Sequence, residues 1–433
     1  MSEPGVSWGR WPRTRQQIVS LADRYAPALP AGTLLPYGNG RSYGDSCLND
    51  GGVLLATRGL DRFIAFDPAT GVLACEAGVL FSEVIALALE QGWFLPVTPG
   101  TSFVTVGGAI ANDVHGKNHH RAGSFGHHLL EFELQRSDGS VLRCARDSHP
   151  EWFQATLGGL GLTGLIRTAR LQLRRVPGPW IRGDSQRFGG LPEFFALARE
   201  SDRDYEYTVA WIDCAASGRA LGRGVFMRGN HAPAERRPPP ARRRRMPFTP
   251  PVSLVNGLSL RLFNQLYYHR PAAACDDALW HYGAFFYPLD GVREWNRIYG
   301  PRGFFQYQCV VPQAAAADDV ADMLGRIARH GSGSFLAVLK VFGSMPSLGM
   351  MSFARPGVTL ALDFPNRDAR TLALLDSLDD ITRAAGGAVY PAKDARMSPA
   401  AFRAYFPQWE QFRGYVDPRF SSSFWRRVTN DTR

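Results

Sequence analysis

Residues 111–128 read ANDVHGKNHHRAGSFGHH and hold His115, His119, His120, His127 and His128, five of the ten histidines in the chain. His115 and His119 have the i, i+4 spacing that sets two imidazoles on one helix face in zinc hydrolases. The residues between them are Gly-Lys-Asn. They supply no glutamate to act as base and place an ammonium where a cation would bind. Asp113 is the only carboxylate close by and no cysteine is near, so the donor set argues against a metal.

The lysine inside this run carries more information. Of 49 basic residues only Lys117, Lys340 and Lys393 are lysine. Where positive charge merely solvates the surface, the chain uses arginine. A retained lysine either marks a need for a compact ammonium that can exchange its proton or survives by chance. Buried, such a group loses proton affinity and enters the general-base range. In FFQYQCVV, Gln306 and Gln308 are two residues apart and project from one face of a strand. That face is either a substrate contact or a solvated surface.

Glycine-rich stretches supply a third kind of chemistry. PYGNGRSYGD (36–45), TPGTSFVTVGGAIANDVHGKNHH (98–120) and GLGLTGLI (159–166) let backbone N–H groups approach an anion closely. Ser42, Thr101 and Thr105 add hydroxyl donors. GLGLTG also matches the G-x-G-x-x-G dinucleotide fingerprint, which requires a strand before it and a helix after it. Here the order is reversed, and a Rossmann site is rejected.

The elements that must position these groups are legible from periodicity. Residues 52–57, 62–67 and 71–78 read as strands, and FSEVIALALEQG (81–92) as a helix with a glycine stop. Two further strands, a helix at HPEWFQATL and the strand LIRTARLQLRRV complete an α/β first part. From about residue 180 the texture becomes that of an α+β domain with a mostly antiparallel sheet, built from EYTVAWID, FFQYQCVV, SFLAVLKVF and GVTLALDF with intervening helices. The length suits about two to three domains. The six scattered cysteines form no C-x-x-C pair and indicate reduced thiols.

Residues 235–251, ERRPPPARRRRMPFTPP, hold six arginines, more than half the net charge of +10. Their prolines forbid a continuous helix, so residues 233–251 are expected to form a mobile basic loop. In the following VSLVNGLSLRLFNQLYYHR, Val255, Leu258, Leu262 and Leu266 can share one helix face. This combination fits either an anionic membrane surface or a solvated loop followed by a core-packing helix. No nucleic-acid motif accompanies the arginines. The N-terminus has no apolar export signal, so the expectation is cytoplasmic synthesis with peripheral membrane contact.

Taken together, G-x-G-R-S-Y-G-D, P-G-T-x-x-V-T-V-G-G-A-I-A and D-V-H-G-K-N-H-H resemble the FAD-binding domain of the vanillyl-alcohol-oxidase superfamily. YPLDGVREWNRIYGPRGFFQYQCVVP (287–312), SFLAVLKVFG (334–343) and VYPAKDARMSP (389–399) extend the likeness to a branch that oxidises lipid-linked ribose. The resemblance implies a two-domain α+β flavoprotein. Residues 1–178 would bind FAD, 179–387 the substrate, and 388–433 would return to the first domain. It implies noncovalent FAD, because relatives that attach the flavin use a histidine where this chain has Arg41. Gly38, Asn39, Gly40, Arg41, Ser42, Tyr43, Gly44, Pro99, Gly100, Thr101, Thr105, Gly108, Asn112, His115, Gly164, Ile166 and Tyr390 would hold it.

The implied reaction turns the 2′-hydroxyl of a polyprenylphosphoryl-β-D-ribose into a ketone, the first half of an epimerisation to an arabinose donor for cell-wall or surface glycan. Lys393, Tyr43, His115 and Lys340 would be catalytic, with Lys393 or Lys340 as base or phosphate contact. Gln306, Gln308, Tyr287 and Lys117 would bind substrate. A short-chain NAD(P)H-dependent reductase would consume the ketone as functional partner. One departure is Ala361, where a mycobacterial relative has cysteine; the oxidation itself needs no thiol. Two rivals are an oxygen-using aldonolactone or alditol oxidase on the same fold, and a flavin-free membrane scaffold anchored by the arginines.

Overall fold

The computed structural model describes residues 4–25, 29–236, 244–367 and 369–430. Its first part joins two sheets. Gln17–Ser20, Val53–Ala56 and Leu34–Tyr37 lie parallel in that spatial order. Phe63–Asp67, Val72–Glu76, Leu165–Gln172, Leu129–Gln135 and Val141–Ala145 form a wholly antiparallel sheet. Buried Leu73, Phe132, Leu134, Ile166 and Leu171 from this sheet pack with Val106, Ala109 and Ile110 of the short helix Val106–Ala111. The GLGLTG stretch follows the helix Pro150–Thr156 and precedes the strand Leu165–Gln172, the reverse of a dinucleotide-binding turn.

The second part is an eight-stranded antiparallel sheet. In spatial order its strands are Cys275–His281, Trp180–Phe188, Gly224–Ala232, Tyr207–Ile212, Val338–Phe342, Gly357–Pro365, Phe304–Val311 and Ala388–Val389. The helices Ala316–His330 and Ala369–Ala384 cover one face through Val320, Met323, Leu324, Ile327, Leu374, Leu375 and Leu378. The fold is therefore mixed α+β with mostly antiparallel sheets, as its periodicity indicates. Trp180–Phe188, Gly224–Ala232 and Cys275–His281 are strands that periodicity does not reveal. All three carry polar residues at half-buried or exposed positions, which blurs the apolar alternation.

The last segment reaches back to the first part. Arg427 pairs with Asp45 at 2.7 Å and with Asp394 at 3.0 Å. Ser423 N–H donates to the Leu48 carbonyl.

Within the basic stretch, residues 237–243 lie outside the described residues. The part that follows is held in place. Arg244–Arg245 pairs in parallel with Val292–Arg293, and Arg245 forms an ion pair with Glu294. The helix Gly257–His269 also departs from a core-packing reading. Val255, just before it, is buried, but Leu258, Leu262 and Leu266 face solvent. The helix packs through Leu260 and Asn264 instead, with Asn264 donating to Asp213 at 2.7 Å. Among the described residues, no helix is long and apolar enough to cross a membrane.

Candidate active site

Strand alternation sorts residues 304–311, 338–342 and 357–365 into two faces. Phe305, Tyr307, Cys309, Leu339, Val358, Leu360, Leu362 and Phe364 enter the core under the helices. Gln306, Gln308, Lys340, Thr359, Ala361 and Asp363 are left on the opposite face. The antiparallel register sets Gln306 beside Asp363, Gln308 beside Ala361 and Lys340 beside Thr359.

Three distant segments close over this polar face. The 389–393 segment comes first: Tyr390 N–H donates to the Gln308 carbonyl at 2.9 Å. It brings Lys393 Nζ to 3.9 Å from the centre of the Tyr43 ring, while Tyr43 N–H donates to Ala392. From the histidine run, the Gly116 carbonyl receives Lys340 Nζ at 3.4 Å. His115 Nε2 lies 2.9 Å from the Gln308 amide nitrogen, which also donates to Thr359 Oγ1 at 3.2 Å. With that amide as donor, Nε2 accepts and the proton sits on Nδ1. Nδ1 is buried and has no protein partner. Lys117 donates to the Phe285 carbonyl and lies 4.7 Å from the Phe285 ring centre.

Burial dominates the electrostatics. It lowers Lys117 to a pKa of about 7, Lys340 to about 8 and Lys393 to about 7. Lys340 lowers both other lysines further by repulsion, and Asp363 partly restores Lys393. Asp363 is itself raised to about 7 by burial, against the pull of Gln306 at 2.7 Å, Lys393 and the Tyr299 hydroxyl. His115 is held well below the usual imidazole range by burial and then by Lys340, His119 and Lys393, and is neutral. The result is a wall of three adjustable amines with the buried Asp363 carboxyl among them, suited to binding an anion and accepting a proton.

Beside this wall the glycine loops make a second half. Gly38 approaches so closely that a Cβ there would collide with Thr105 Oγ1. Gly44 lies against Asp394, whose carbonyl oxygen would overlap an added Cβ. Thr105 caps the helix Val106–Ala111 by accepting from Gly108 N–H. The 98–103 loop is pinned by Thr98 to the Tyr287 hydroxyl at 2.6 Å and by Ser102 to Asp290. Asn39 donates to the Phe103 carbonyl. Arg41 stacks 4.1 Å from the Trp8 ring centre and 5.3 Å from that of Phe103. Its Nε is buried with no protein partner. Tyr390 OH reaches the Asn112 carbonyl at 2.9 Å.

This half fits an FAD. An unsatisfied buried guanidinium N–H at Arg41 and an unsatisfied imidazole nitrogen at His115 are what a pyrophosphate-linked flavin would use. Ser42, Pro99 and Thr101 belong to the same loops. Ile166 lies one layer back, in the strand pairing with Leu129–Gln135, and packs with the helix Val106–Ala111, while Gly164 immediately precedes that strand and lies against the Gln135 carbonyl.

The other histidines do structural work. His120, His127 and His128 bond to the carbonyls of Tyr205, Pro346 and Ala122, and His119 packs on Phe342. Two acidic residues, Asp363 and Asp290, join the site without being singled out by the sequence. Asp363 had a signal: in GVTLALDFP it falls in register with Thr359 and Ala361, opposite Leu360, Leu362 and Phe364. Asp290 had none, because it acts through a loop 188 residues away.

Comparison with known proteins agrees with the geometry. Residues 11–145 match the family described as FAD binding domain. A decaprenylphosphoryl-β-D-ribose oxidase of Mycolicibacterium smegmatis is 35% identical, across 98% of this chain and 96% of the relative. The chain belongs to the decaprenylphosphoryl-β-D-ribose oxidase family. A Streptomyces coelicolor protein described as uncharacterised is 37% identical over 81% of this chain and its own full length. Cytokinin dehydrogenase 6 of Oryza sativa subsp. japonica is 29% identical over 46% of this chain and 40% of its own length. The FAD-binding match covers both longer glycine loops, His115 and Lys117. Lys340, Lys393 and the glutamine strand lie beyond it, and there the likeness is to the oxidase family.

Proposed function

We propose that this chain oxidises the 2′-hydroxyl of a polyprenylphosphoryl-β-D-ribose to the ketone, using noncovalently bound FAD. The observation that carries the reading is the convergence of the half-buried Lys117 and Lys393 on Lys340, in a chain aligned end to end with a ribose-lipid oxidase. In this reading, residues 1–178 and 388–433 hold the flavin and residues 179–387 the substrate. When bound, FAD supplies the two-electron acceptor for the carbinol C–H bond.

The chain's own residues manage position and proton. Neutral Lys393 Nζ takes the 2′-hydroxyl proton, with the Tyr43 ring fixing its place and Asp363 offsetting its burial. Lys340 and Lys117, when protonated, bind the phosphate. Gln306, Gln308 and Tyr287 orient the sugar, and His115 Nδ1–H donates toward the flavin. Arg41 pairs with the cofactor's anionic groups. The ketone must then be reduced, so a short-chain NAD(P)H-dependent reductase is the functional partner, together completing an epimerisation to the arabinose donor. Peripheral contact with a membrane follows from a lipid-borne substrate.

The test is a visible spectrum before and after acid precipitation, followed by anaerobic addition of a prenylphosphoryl ribose. Yellow colour released by acid and bleached by the lipid sugar is expected. Bleaching by a soluble alditol or aldonolactone alone would transfer the reading to that class of oxidase.

A further inference from the structure

The helix Gly257–His269 presents an apolar stripe that its own fold does not use. Leu258, Leu262 and Leu266, at i, i+4 and i+8, are 79%, 60% and 65% exposed. Leu254, Val252 and Phe248, just before them, are exposed as well. The buried side of the helix is Leu260 and Asn264, so the stripe is not a core face turned by misalignment. Leucines so placed are costly in water unless something covers them.

The charge around the stripe points to the cover. Among the described residues from Arg236 to Cys275 there are five arginines, Arg236, Arg244, Arg245, Arg261 and Arg270, and no aspartate or glutamate; Arg245 is paired with Glu294 from outside this stretch. Arg244 and Arg245 run beside Val292–Arg293, and Leu254 N–H donates to the Ile298 carbonyl, so this basic stretch and the chain leading into the helix lie along one segment, 291–298. A second copy docked by a two-fold axis would set arginines against arginines. An anionic bilayer meets both features, apolar in its interior and negative at its surface.

The stripe also connects to the site. Phe263 lies 4.7 Å from Phe335 between ring centres. Phe335 packs against the cluster of Trp8, Val255, Tyr299 and Phe304, and the Phe304 ring centre is 5.6 Å from that of Tyr43, the ring under Lys393. We infer that the Gly257–His269 helix is an interfacial anchor that seats Leu258, Leu262 and Leu266 in an anionic membrane and aligns an apolar, aromatic approach to the lysine wall for a lipid-borne sugar. This rests on the lipid-phosphate reading of the substrate.

The test uses the FAD-loaded full chain and the exposed-face variant L258S/L262S/L266S. The wild type is expected to float with vesicles of phosphatidylglycerol and phosphatidylcholine, less with phosphatidylcholine alone, and to be released by salt. The variant should partition at least about tenfold less. It should keep its bleaching by a short-chain prenylphosphoryl ribose in solution, but lose turnover of a long-chain substrate presented in vesicles. A wild type that does not float, a variant that floats equally well, or a salt-resistant dimer abolished by the same substitutions would overturn the anchor. Failure of the short-chain substrate to bleach the wild type would instead strike the substrate reading, whatever the vesicles show.

Discussion

Gln306 and Asp363 face one another across neighbouring antiparallel strands and share a 2.7 Å hydrogen bond, with the Asp363 carboxyl buried. Asp363 acts on Lys393 by raising its proton affinity against burial. Asp363→Asn removes that pull. The acid limb of the rate of flavin bleaching against pH is expected to move down by about one unit, because Lys393 then loses its proton more readily. An unmoved limb would show that Lys393 is not the titrating base.

Lys393 and Lys340 differ in surroundings and should differ in kinetics. Lys393→Met is expected to lower the bleaching rate by about 10²- to 10⁴-fold and to abolish the acid limb. Lys340→Met, which removes a phosphate contact, should mainly raise the substrate concentration needed for half-maximal rate and keep the acid limb, moved up in pH because the repulsion that lowers Lys393 is gone. Single-turnover mixing under anaerobic conditions separates the two.

Burial of Lys117 has a cost that depends on pH. Its folded pKa of about 7 lies below the usual lysine value of 10.5. Between these values the unfolded chain binds more protons than the folded one, so stability is lost as pH falls from 10.5 toward 7 and the loss is complete below the folded pKa. Lys117→Met should therefore melt higher than the wild type at about pH 6–7, by about 1–3 kcal/mol in stability, and the gap should shrink as the pH approaches the usual lysine value. Thermal melts of the two flavin-free proteins across this range make the comparison.

Arg41 Nε is buried without a protein partner, between Trp8 and Phe103. Arg41→Ala should weaken FAD retention by about 10- to 100-fold, the scale of one lost charge-assisted contact. Fluorescence titration of the flavin-stripped protein with FAD would measure it, and unchanged affinity would remove Arg41 from the cofactor contacts.

Much of this arrangement is legible without any coordinates. The lysine count alone picks out residues 117, 340 and 393, because arginine does every other cationic task in the chain. The spacing of Gln306 and Gln308 puts both on one strand face, and alternation is robust in a strand buried on both sides. The Leu258–Leu262–Leu266 stripe is visible too, but periodicity tells which residues share a face and not which way it turns. Here Asn264 settles the direction by bonding to Asp213, a long-range pairing with no local signature. Asp290 escapes for the same reason.

The Arg427 bridge between Asp45 and Asp394 has a consequence for the order of events during synthesis. Tyr43 leaves the ribosome some 350 residues before the lysine that rests on it. A nascent chain that ends before residue 388 has its glycine loops but neither the Tyr390–Lys393 segment nor the Arg427 clamp that draws it onto Gly44. Cofactor capture is therefore expected only once residues 388–430 have emerged and docked. A ribosome-stalled chain lacking residues 388–433 should stay colourless in excess FAD.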